Sequence, residues 1–160
     1  MQDLVEKLSN LLKEKDMTLV TAESCTGGLL SATITHKPGA TEVFERGFIT
    51  YSNEAKQELL DVPADTLDKY GAVSPETAEM MATGALDNSN AGLAVSITGI
   101  AGPDGGTDDK PVGLVFFGYA LKGGSAGSMQ YQFEGTREQI RTTAVVTALK
   151  SLITVLERPA

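Results

Sequence analysis

The sequence predicts an α/β fold: a layered α/β/α single domain with a mixed β-sheet. Three observations support this prediction. Helical and strand patterns interleave along the chain of 160 residues, as they do where helices cover a sheet. Two successive strand patterns, 112–121 and 129–133, are close enough to form a hairpin. No internal repeat, low-complexity tract or linker divides the chain, so we expect one domain spanning residues 1–160.

The individual elements follow from hydrophobic spacing and from capping residues. Leucines at helical spacing predict a first helix that extends to about residue 15. Ser74 before Pro75 and Glu76 is a strong helix start, and Thr136 with Gln139 forms a capping box for the last helix. The patterns predict further helices over 29–36, 54–60, 63–70, 75–86 and 137–156, strands over 18–22, 44–51, 91–97, 112–121 and 129–133, and a flexible loop over 122–128.

Composition narrows the possible classes of function. Apolar residues make up 41% of the chain and charged residues 21%, which is typical of a globular domain. The net charge of −8 and the absence of Trp argue against a nucleic-acid-binding surface. No apolar run approaches the roughly 20 residues of a membrane helix, and the charged residues 1–16 do not resemble a signal peptide. A single cysteine cannot form an internal disulfide, so we expect a cytoplasmic location.

The most informative residues lie in the turn between a predicted strand and a predicted helix, residues 21–28. Ser24 would stand where the first N–H groups of the helix point outward and favour negative charge. A nucleophile needs such donors, because they stabilise the oxyanion that it creates. Gly27 and Gly28 would let a ligand approach the backbone closely. The alternative is an ordinary turn in which Ser24 or Thr26 only caps the helix.

Cys25, next to Ser24, is a second candidate nucleophile. Cysteines are more often buried as small apolar residues, and consecutive side chains of a turn can point in different directions. Both possibilities stay open at this level.

A serine nucleophile usually needs a base, and His36 is the only histidine. It lies about three helical turns beyond the serine, so we expect it to face solvent and do not expect a Ser-His-Asp triad. Lys56 is the best-placed substitute, because a position near a helix start and partial burial behind Tyr51 would lower its pKa. The alternative, a surface lysine that pairs with Glu54 or Asp61, stays open.

A glycine-rich segment, residues 99–113, follows the strand pattern 91–97. No Gly-Lys-Ser/Thr sequence follows it, so it is not a Walker A loop. Its successive backbone N–H groups can form an anion-binding nest closed by Lys110 and Pro111, and long loops in compact domains are usually functional. A plain surface loop is the alternative.

Four segments together resemble one known family. They are 21–28 (TAESCTGG), 51–56 (YSNEAK), 71–74 (GAVS) and the glycine-rich segment from 98–106 through 110–113. In order and spacing they are similar to the CinA C-terminal domain family, whose enzymes are nicotinamide-nucleotide amidases. The resemblance covers nearly the whole chain. Some members carry an additional N-terminal domain similar to molybdopterin-binding proteins, whereas we expect this chain to be the stand-alone form.

The resemblance implies an enzyme that hydrolyses nicotinamide mononucleotide to nicotinate mononucleotide and ammonia, in pyridine-nucleotide recycling, without a metal or organic cofactor. Ser24 would be the nucleophile, Lys56 its general base, and Tyr51 a group that orients or relays the proton. Backbone N–H groups of residues 26–28 or 99–102 would hold the oxyanion, and Arg137 or Arg141 would contribute to phosphate binding. The implied substrate-binding residues are Thr26, Gly27, Gly28, Asn53, Thr98, Gly99, Gly102, Arg137 and Arg141.

The implied partner is a small nucleotide, with no nucleic acid and no membrane, and the expected assembly is a homo-oligomer, taken as a dimer. Two other functions stay open. One is a non-catalytic nucleotide-binding or regulatory module of the same fold. The other is a phosphoryl-transfer enzyme, which is disfavoured because the sequence offers no acidic pair for magnesium and no P-loop lysine.

Overall fold

The computed structural model describes residues 1–159. Within these residues the chain forms six α-helices, five β-strands and one short 3-10 turn. In chain order they are α1 (Gln2–Glu14), β1 (Leu19–Glu23), α2 (Leu29–Ile34), the 3-10 turn (Ala40–Glu42), β2 (Phe44–Ile49), α3 (Asn53–Leu60), α4 (Ala64–Tyr70), α5 (Pro75–Asp87), β3 (Leu93–Gly99), β4 (Leu114–Leu121), β5 (Ala126–Gln132) and α6 (Arg137–Glu157). None of these helices is both long and apolar enough to cross a membrane.

The strands form one mixed sheet in the order β2-β1-β3-β4-β5. β1 pairs in parallel with β2 and β3, whereas β4 pairs antiparallel with β3 and β5. Helical crossovers join the parallel strands, and a tight turn joins β4 to β5. Because β1, β2 and β3 run in the same direction, their carboxyl ends meet at one edge of the sheet.

Alternate residues of the central strands face two separate hydrophobic cores. Leu19 and Leu93 belong to the core that contains the buried residues of α1, α2 and α6. Val20 and Ala94 belong to the other core, with buried residues of α3, α4 and α5. The sheet therefore lies between two helical layers, and the predicted α/β/α fold with a mixed sheet is confirmed.

Side-chain caps begin three of the helices, and those at Ser74 and Thr136 are the predicted ones. Ser52 Oγ accepts a hydrogen bond from the N–H of Ala55 at the start of α3. Ser74 caps α5 in the same way, with Pro75 in its first turn. Thr136 and Gln139 form the predicted capping box of α6. These helices begin where the sequence predicts, because their free N–H groups find local acceptors.

The last hairpin differs from its prediction. β5 begins at Ala126, so the predicted flexible loop over 122–128 is wrong beyond residue 125. Ala126 and Ser128 pair with Ala120 and Gly118 of β4. Because the ladder forms through the main chain, small residues without strand propensity still extend the strand.

Two elements end earlier than predicted. α2 ends at Ile34 and β2 ends at Ile49, each two residues before the predicted end. Thr50 and Tyr51, which follow β2, lead directly into α3. Their main-chain carbonyls point at a lysine of that helix and contribute to the site described next.

Candidate functional site

A pocket of about 260 Å³ opens at the carboxyl ends of the three parallel strands. In open α/β sheets this edge is the usual place for a ligand. Each parallel strand contributes to it: Ser24 follows β1, Tyr51 follows β2, and the glycine-rich segment follows β3. The lining comprises residues 24–25, 51, 56, 72–73, 98–102, 104–105 and 137.

Ser24 and Lys56 are in contact inside this pocket. Lys56 Nζ lies 3.1 Å from Ser24 Oγ, 2.9 Å from the carbonyl oxygen of Thr50 and 3.2 Å from that of Tyr51. Carbonyl oxygens only accept hydrogen bonds. A neutral amine can donate its two N–H groups to these carbonyls, which leaves its lone pair facing the Ser24 hydroxyl. The arrangement suits an amine that accepts a proton from the serine.

Burial sets the charge state of this lysine. Lys56 is 1% exposed, and removal from water lowers its pKa from the ordinary value of 10.5 because the charged form loses hydration. The Cys25 thiol acts in the opposite direction and more weakly. Within residues 1–159 Lys56 forms no salt bridge, so the alternative of a surface lysine paired with Glu54 or Asp61 is wrong.

Cys25 has an environment unsuited to a nucleophile. It is 7% exposed, and burial raises its pKa to about 11. The thiolate is the nucleophilic form of cysteine, and it is scarce in this site at neutral pH. The expectation that Cys25 is a small buried residue is confirmed.

The turn that carries Ser24 is held by its main chain. The Ser24 N–H donates to the carbonyl of Ile97 in β3 (3.0 Å), and the Gly27 N–H donates to the carbonyl of Ser24 (3.0 Å). Gly27 and Gly28 have φ angles of +56° and +103°, a region that glycine adopts without steric cost. The two glycines are thus required by the shape of the turn. Neither lines the pocket: Gly27 lies beside the Arg141 guanidinium and Gly28 beside the side chain of Ile49.

Glu23, which had no role assigned from the sequence, binds the start of α2. Its carboxylate, with 0% exposure, accepts hydrogen bonds from the N–H groups of Leu30 and Ser31 and from the hydroxyl of Thr26. The expectation that these helix N–H groups point outward to a ligand is therefore wrong, since a buried acid occupies them. Thr26 donates to that acid and does not line the pocket. The sequence signal that could have indicated this role is an acidic residue directly after a predicted strand and a few residues before a predicted helix.

The two predicted arginines have different places. Arg137 lines the pocket, where its Nη1 donates to the carbonyl of Gly102 (2.8 Å) and its Nη2 to the Tyr51 hydroxyl (3.3 Å). Arg141, one turn further along α6, donates to the carbonyls of Cys25 (3.1 Å) and Thr26 (3.0 Å). The structure therefore brings Arg137 to the pocket and binds Arg141 to the outside of the Ser24 turn.

Tyr51 contributes its main chain to Lys56 and its hydroxyl to Arg137. The side chain is 61% exposed, and the contact of Tyr51 with Lys56 is made by its main-chain carbonyl. Its role in orienting or relaying the proton stays a prediction. Asn53, the first residue of α3, is exposed and does not line the pocket.

The glycine-rich segment lies partly at the pocket and partly on the surface, and its role as an anion-binding nest stays a prediction. Thr98, Gly99 and Gly102 line the pocket, while 103–109 are exposed. Lys110 Nζ donates to the Tyr70 carbonyl at the end of α4 (2.6 Å), which fastens the segment beside the turn 71–74.

The turn 71–74 also reaches the pocket. Thr98 Oγ1 donates to the carbonyl of Ala72 (2.8 Å), and Ala72 and Val73 line the cavity. This turn is one of the four family-like segments, but no site residue was expected in it. Asp104, an exposed carboxylate at the pocket, was not expected from the sequence either. Within residues 1–159 no cluster of three or more His, Cys, Asp or Glu side chains could hold a metal ion.

Sequence comparison identifies similar proteins. A protein of Caldicellulosiruptor bescii, provisionally named a competence-damage inducible protein, is 51% identical over 151 residues, which are 94% of this chain and 36% of that protein. The chain thus spans about a third of the length of that relative. The nicotinamide-nucleotide amidohydrolase PncC of Enterobacter agglomerans is 46% identical over 153 residues, which are 96% of this chain and 93% of that protein.

Solved structures have the same fold. The competence damage-inducible protein A of Klebsiella pneumoniae superposes with a TM-score of 0.94 at 34% identity, covering 99% of this chain and 98% of that one. The protein CihA of Agrobacterium tumefaciens gives a TM-score of 0.91 at 41% identity, covering 98% and 96%. The sequence profile of the CinA C-terminal domain matches residues 1–156. Since both fold and sequence agree over nearly its whole length, this chain belongs to the CinA C-terminal domain family.

Proposed function

We propose that this chain is an amidase that hydrolyses nicotinamide mononucleotide to nicotinate mononucleotide and ammonia through a Ser24–Lys56 pair. One observation carries the proposal: a lysine that is 1% exposed, bound to two carbonyls, with its Nζ 3.1 Å from a serine hydroxyl in a pocket. The 46% identity to a nicotinamide-nucleotide amidohydrolase over 96% of the chain supports the choice of substrate.

In the first step neutral Lys56 accepts the proton of the Ser24 hydroxyl, and Oγ attacks the carbon of the carboxamide. The resulting tetrahedral oxyanion needs N–H donors fixed in advance. Among the residues that line the pocket, the N–H of Ile100 already donates to Leu114. No hydrogen bond within residues 1–159 occupies the N–H groups of Ala101 and Gly102, and we assign the oxyanion to these donors.

In the second step the Lys56 ammonium donates its proton to the departing nitrogen. The C–N bond breaks, ammonia leaves, and the nicotinoyl group remains as an ester on Ser24. Lys56 is neutral again and accepts a proton from water, whose oxygen attacks the ester. Return of that proton to Ser24 Oγ releases nicotinate mononucleotide and restores the site.

Arg137 is the cation suited to the phosphate. Its two hydrogen bonds, to Gly102 and Tyr51, use two of the five N–H donors of a guanidinium. The remaining donors can bind phosphate oxygens at the mouth of the pocket. Its position at the start of α6 adds the partial positive charge of a helix N-terminus.

The test is release of ammonia from nicotinamide mononucleotide by the purified protein, with chelator present, compared with Ser24→Ala. The wild type should release ammonia and nicotinate mononucleotide in equal amounts. Ser24→Ala should lose on the order of 10³-fold or more in kcat while still binding the nucleotide in a calorimeter. Binding without turnover by the wild type would indicate instead a non-catalytic nucleotide-binding module.

We also propose three points of organisation, of which the location rests on the single cysteine. They are a single amidase domain over residues 1–160, assembly as a homodimer, and a cytoplasmic location. Light scattering of the purified protein tests the dimer, and a monomer at all concentrations would contradict it.

A further inference from the structure

Glu23 is a buried carboxylate with four hydrogen bonds and no pocket contact. Its Oε1 accepts from Thr26 Oγ1 (2.7 Å) and the Leu30 N–H (2.8 Å). Its Oε2 accepts from the Ser31 N–H (3.0 Å) and Ser31 Oγ (2.6 Å). Burial of a charge is costly unless hydrogen bonds replace its hydration, and charge-assisted bonds are the strong ones. The four donors all come from residues 26–31, so this short segment is bound to the end of β1.

Glu23 and its hydrogen-bond donors lie on opposite sides of Ser24 along the chain. Glu23 directly precedes Ser24, whereas Thr26 and α2 follow it. The carboxylate therefore links the chain before the serine to the chain after it. Two further contacts hold the same turn: the Ser24 N–H donates to Ile97 of β3, and Arg141 of α6 donates to Cys25 and Thr26.

We propose that Glu23 is a positioning residue that fixes the Ser24 hydroxyl against Lys56. The inference rests on the proposed serine mechanism. A misplacement of about 1 Å in a reacting group can cost about 10²-fold in rate. Lys56 is anchored by the carbonyls of Thr50 and Tyr51, which do not contact the Glu23 carboxylate. The Thr50 N–H donates to the main-chain carbonyl of Glu23 (2.8 Å), and a side-chain substitution retains that carbonyl. Loss of the carboxylate therefore moves one member of the pair and leaves the other in place.

The expected signature is a loss in kcat with KM nearly unchanged. Arg137, Thr98 and the glycine-rich segment, which line the pocket, make no hydrogen bond to Glu23. Binding of the nucleotide should therefore persist. A residue with only a structural role would lower the melting temperature and leave the kcat of the folded protein unchanged.

The main experiment compares Glu23→Gln with the wild type well below both melting temperatures. Glutamine keeps the shape but turns an amide NH₂ group towards the N–H of Ser31, which also donates. We expect kcat to fall by about 10- to 100-fold and KM to stay within about twofold. The matched control is Ile34→Val, which removes one methyl group from the buried end of the same helix and should keep the wild-type kcat.

A second pair of variants keeps the test valid if Glu23→Gln does not fold. Thr26→Val removes the hydroxyl that donates to Glu23 while keeping the branched shape, and Thr26→Ser retains the hydroxyl. Thr26→Val should lower kcat and Thr26→Ser should restore most of it. Equal kcat values for the two variants would overturn the proposal, as would a Glu23→Gln kcat within twofold of the wild type.

A fluorophosphonate probe tests the positioning role of Glu23 independently of the proposed substrate. Such a reagent phosphonylates an activated serine without needing the nucleotide. If Glu23 positions Ser24, labelling should slow in Glu23→Gln by about the same factor as kcat. Labelling of the wild type without amidase activity would refute the substrate and leave the positioning role standing. Equal labelling rates in both proteins would refute the positioning role.

Discussion

Lys56 Nζ lies 3.1 Å from Ser24 Oγ although 32 residues separate the two in the chain. The contact depends on the parallel pairing of β1 with β2, which brings the end of each strand to the same edge of the sheet. Ser24 follows the first strand, and α3, which carries Lys56, follows the second. A buried lysine and a serine hydroxyl are thereby placed together by the sheet, without any histidine.

Replacement of Lys56 tests whether it acts as a base. Lys56→Arg keeps the positive charge, but a guanidinium does not release its proton at neutral pH. We therefore expect Lys56→Arg and Lys56→Met both to lose about 10³-fold or more in kcat, with retained binding of nicotinamide mononucleotide. Steady-state kinetics and calorimetry provide the two measurements. Substantial turnover by Lys56→Arg would show that Lys56 is not the base and would make Tyr51 the next candidate.

The pH dependence of activity follows from the lowered pKa of Lys56. Burial favours the neutral amine, so the reactive form appears below the ordinary lysine value of 10.5. The logarithm of kcat/KM should rise with unit slope and level off above a pKa that lies clearly below that value. A profile that still rises at pH 10.5 would contradict the assignment. Cys25→Ala is the control, because Cys25 is the other buried titratable residue that lines the pocket.

Stability should depend on pH through the same lysine. Between the lowered native pKa and the unfolded value of about 10.4, the unfolded chain binds more protons than the native one. The free energy of unfolding therefore rises with pH across this interval, and the penalty is full below the native pKa. Relative to Lys56→Met, the wild type should gain up to about 1.4 kcal/mol per pH unit in urea denaturation. Parallel curves for the two proteins would contradict a lowered pKa.

Cys25 should be chemically inert. Its pKa is raised to about 11 by burial, so iodoacetamide at pH 8 should react far more slowly than with a free thiol. Cys25→Ala should keep most of the activity, because one small buried side chain replaces another. The Ser24→Ala protein serves as the comparison in the same assay. Rapid alkylation that nicotinamide mononucleotide prevents would move the nucleophile to Cys25.

Substitutions of the two arginines of α6 should affect different kinetic constants. Arg137→Met removes the pocket cation, so KM for nicotinamide mononucleotide should rise by about 10-fold or more, while hydrolysis of nicotinamide riboside, which lacks the phosphate, should change little. Arg141→Met removes two hydrogen bonds to the Ser24 turn. It should lower kcat for both substrates by a similar factor. An equal effect of Arg137→Met on both substrates would exclude phosphate binding by that residue.

Much of the fold could be predicted because its signals are local. The caps at Ser52, Ser74 and Thr136 are set by residues within one turn of each helix start. Ser24 and Lys56 could be proposed as partners because both lie in motifs of a recognisable family. Their contact itself could not be derived, since it depends on the pairing of β1 with β2.

The points that the sequence could not decide depend on long-range contacts. The start of α2 was expected to be open to a ligand, because nothing in local spacing shows that Glu23 folds back onto it. The sequence offered Arg137 or Arg141 for the phosphate, and one helical turn directs Arg141 to the carbonyls of Cys25 and Thr26. A surface position for Lys56 also stayed open in the sequence, whereas the folded chain buries this residue.

The acceptors that hold Lys56 are main-chain carbonyls, and this affects how the site tolerates mutation. Substitution of the side chains at positions 50 and 51 leaves both carbonyl groups in the chain. The same is true at position 97, whose carbonyl binds the Ser24 N–H. The contact between Ser24 and Lys56 can thus persist through extensive sequence change in its surroundings, provided that the strands keep their register. Substitutions can alter the pocket around Ser24 and Lys56 while the support of the buried amine stays the same.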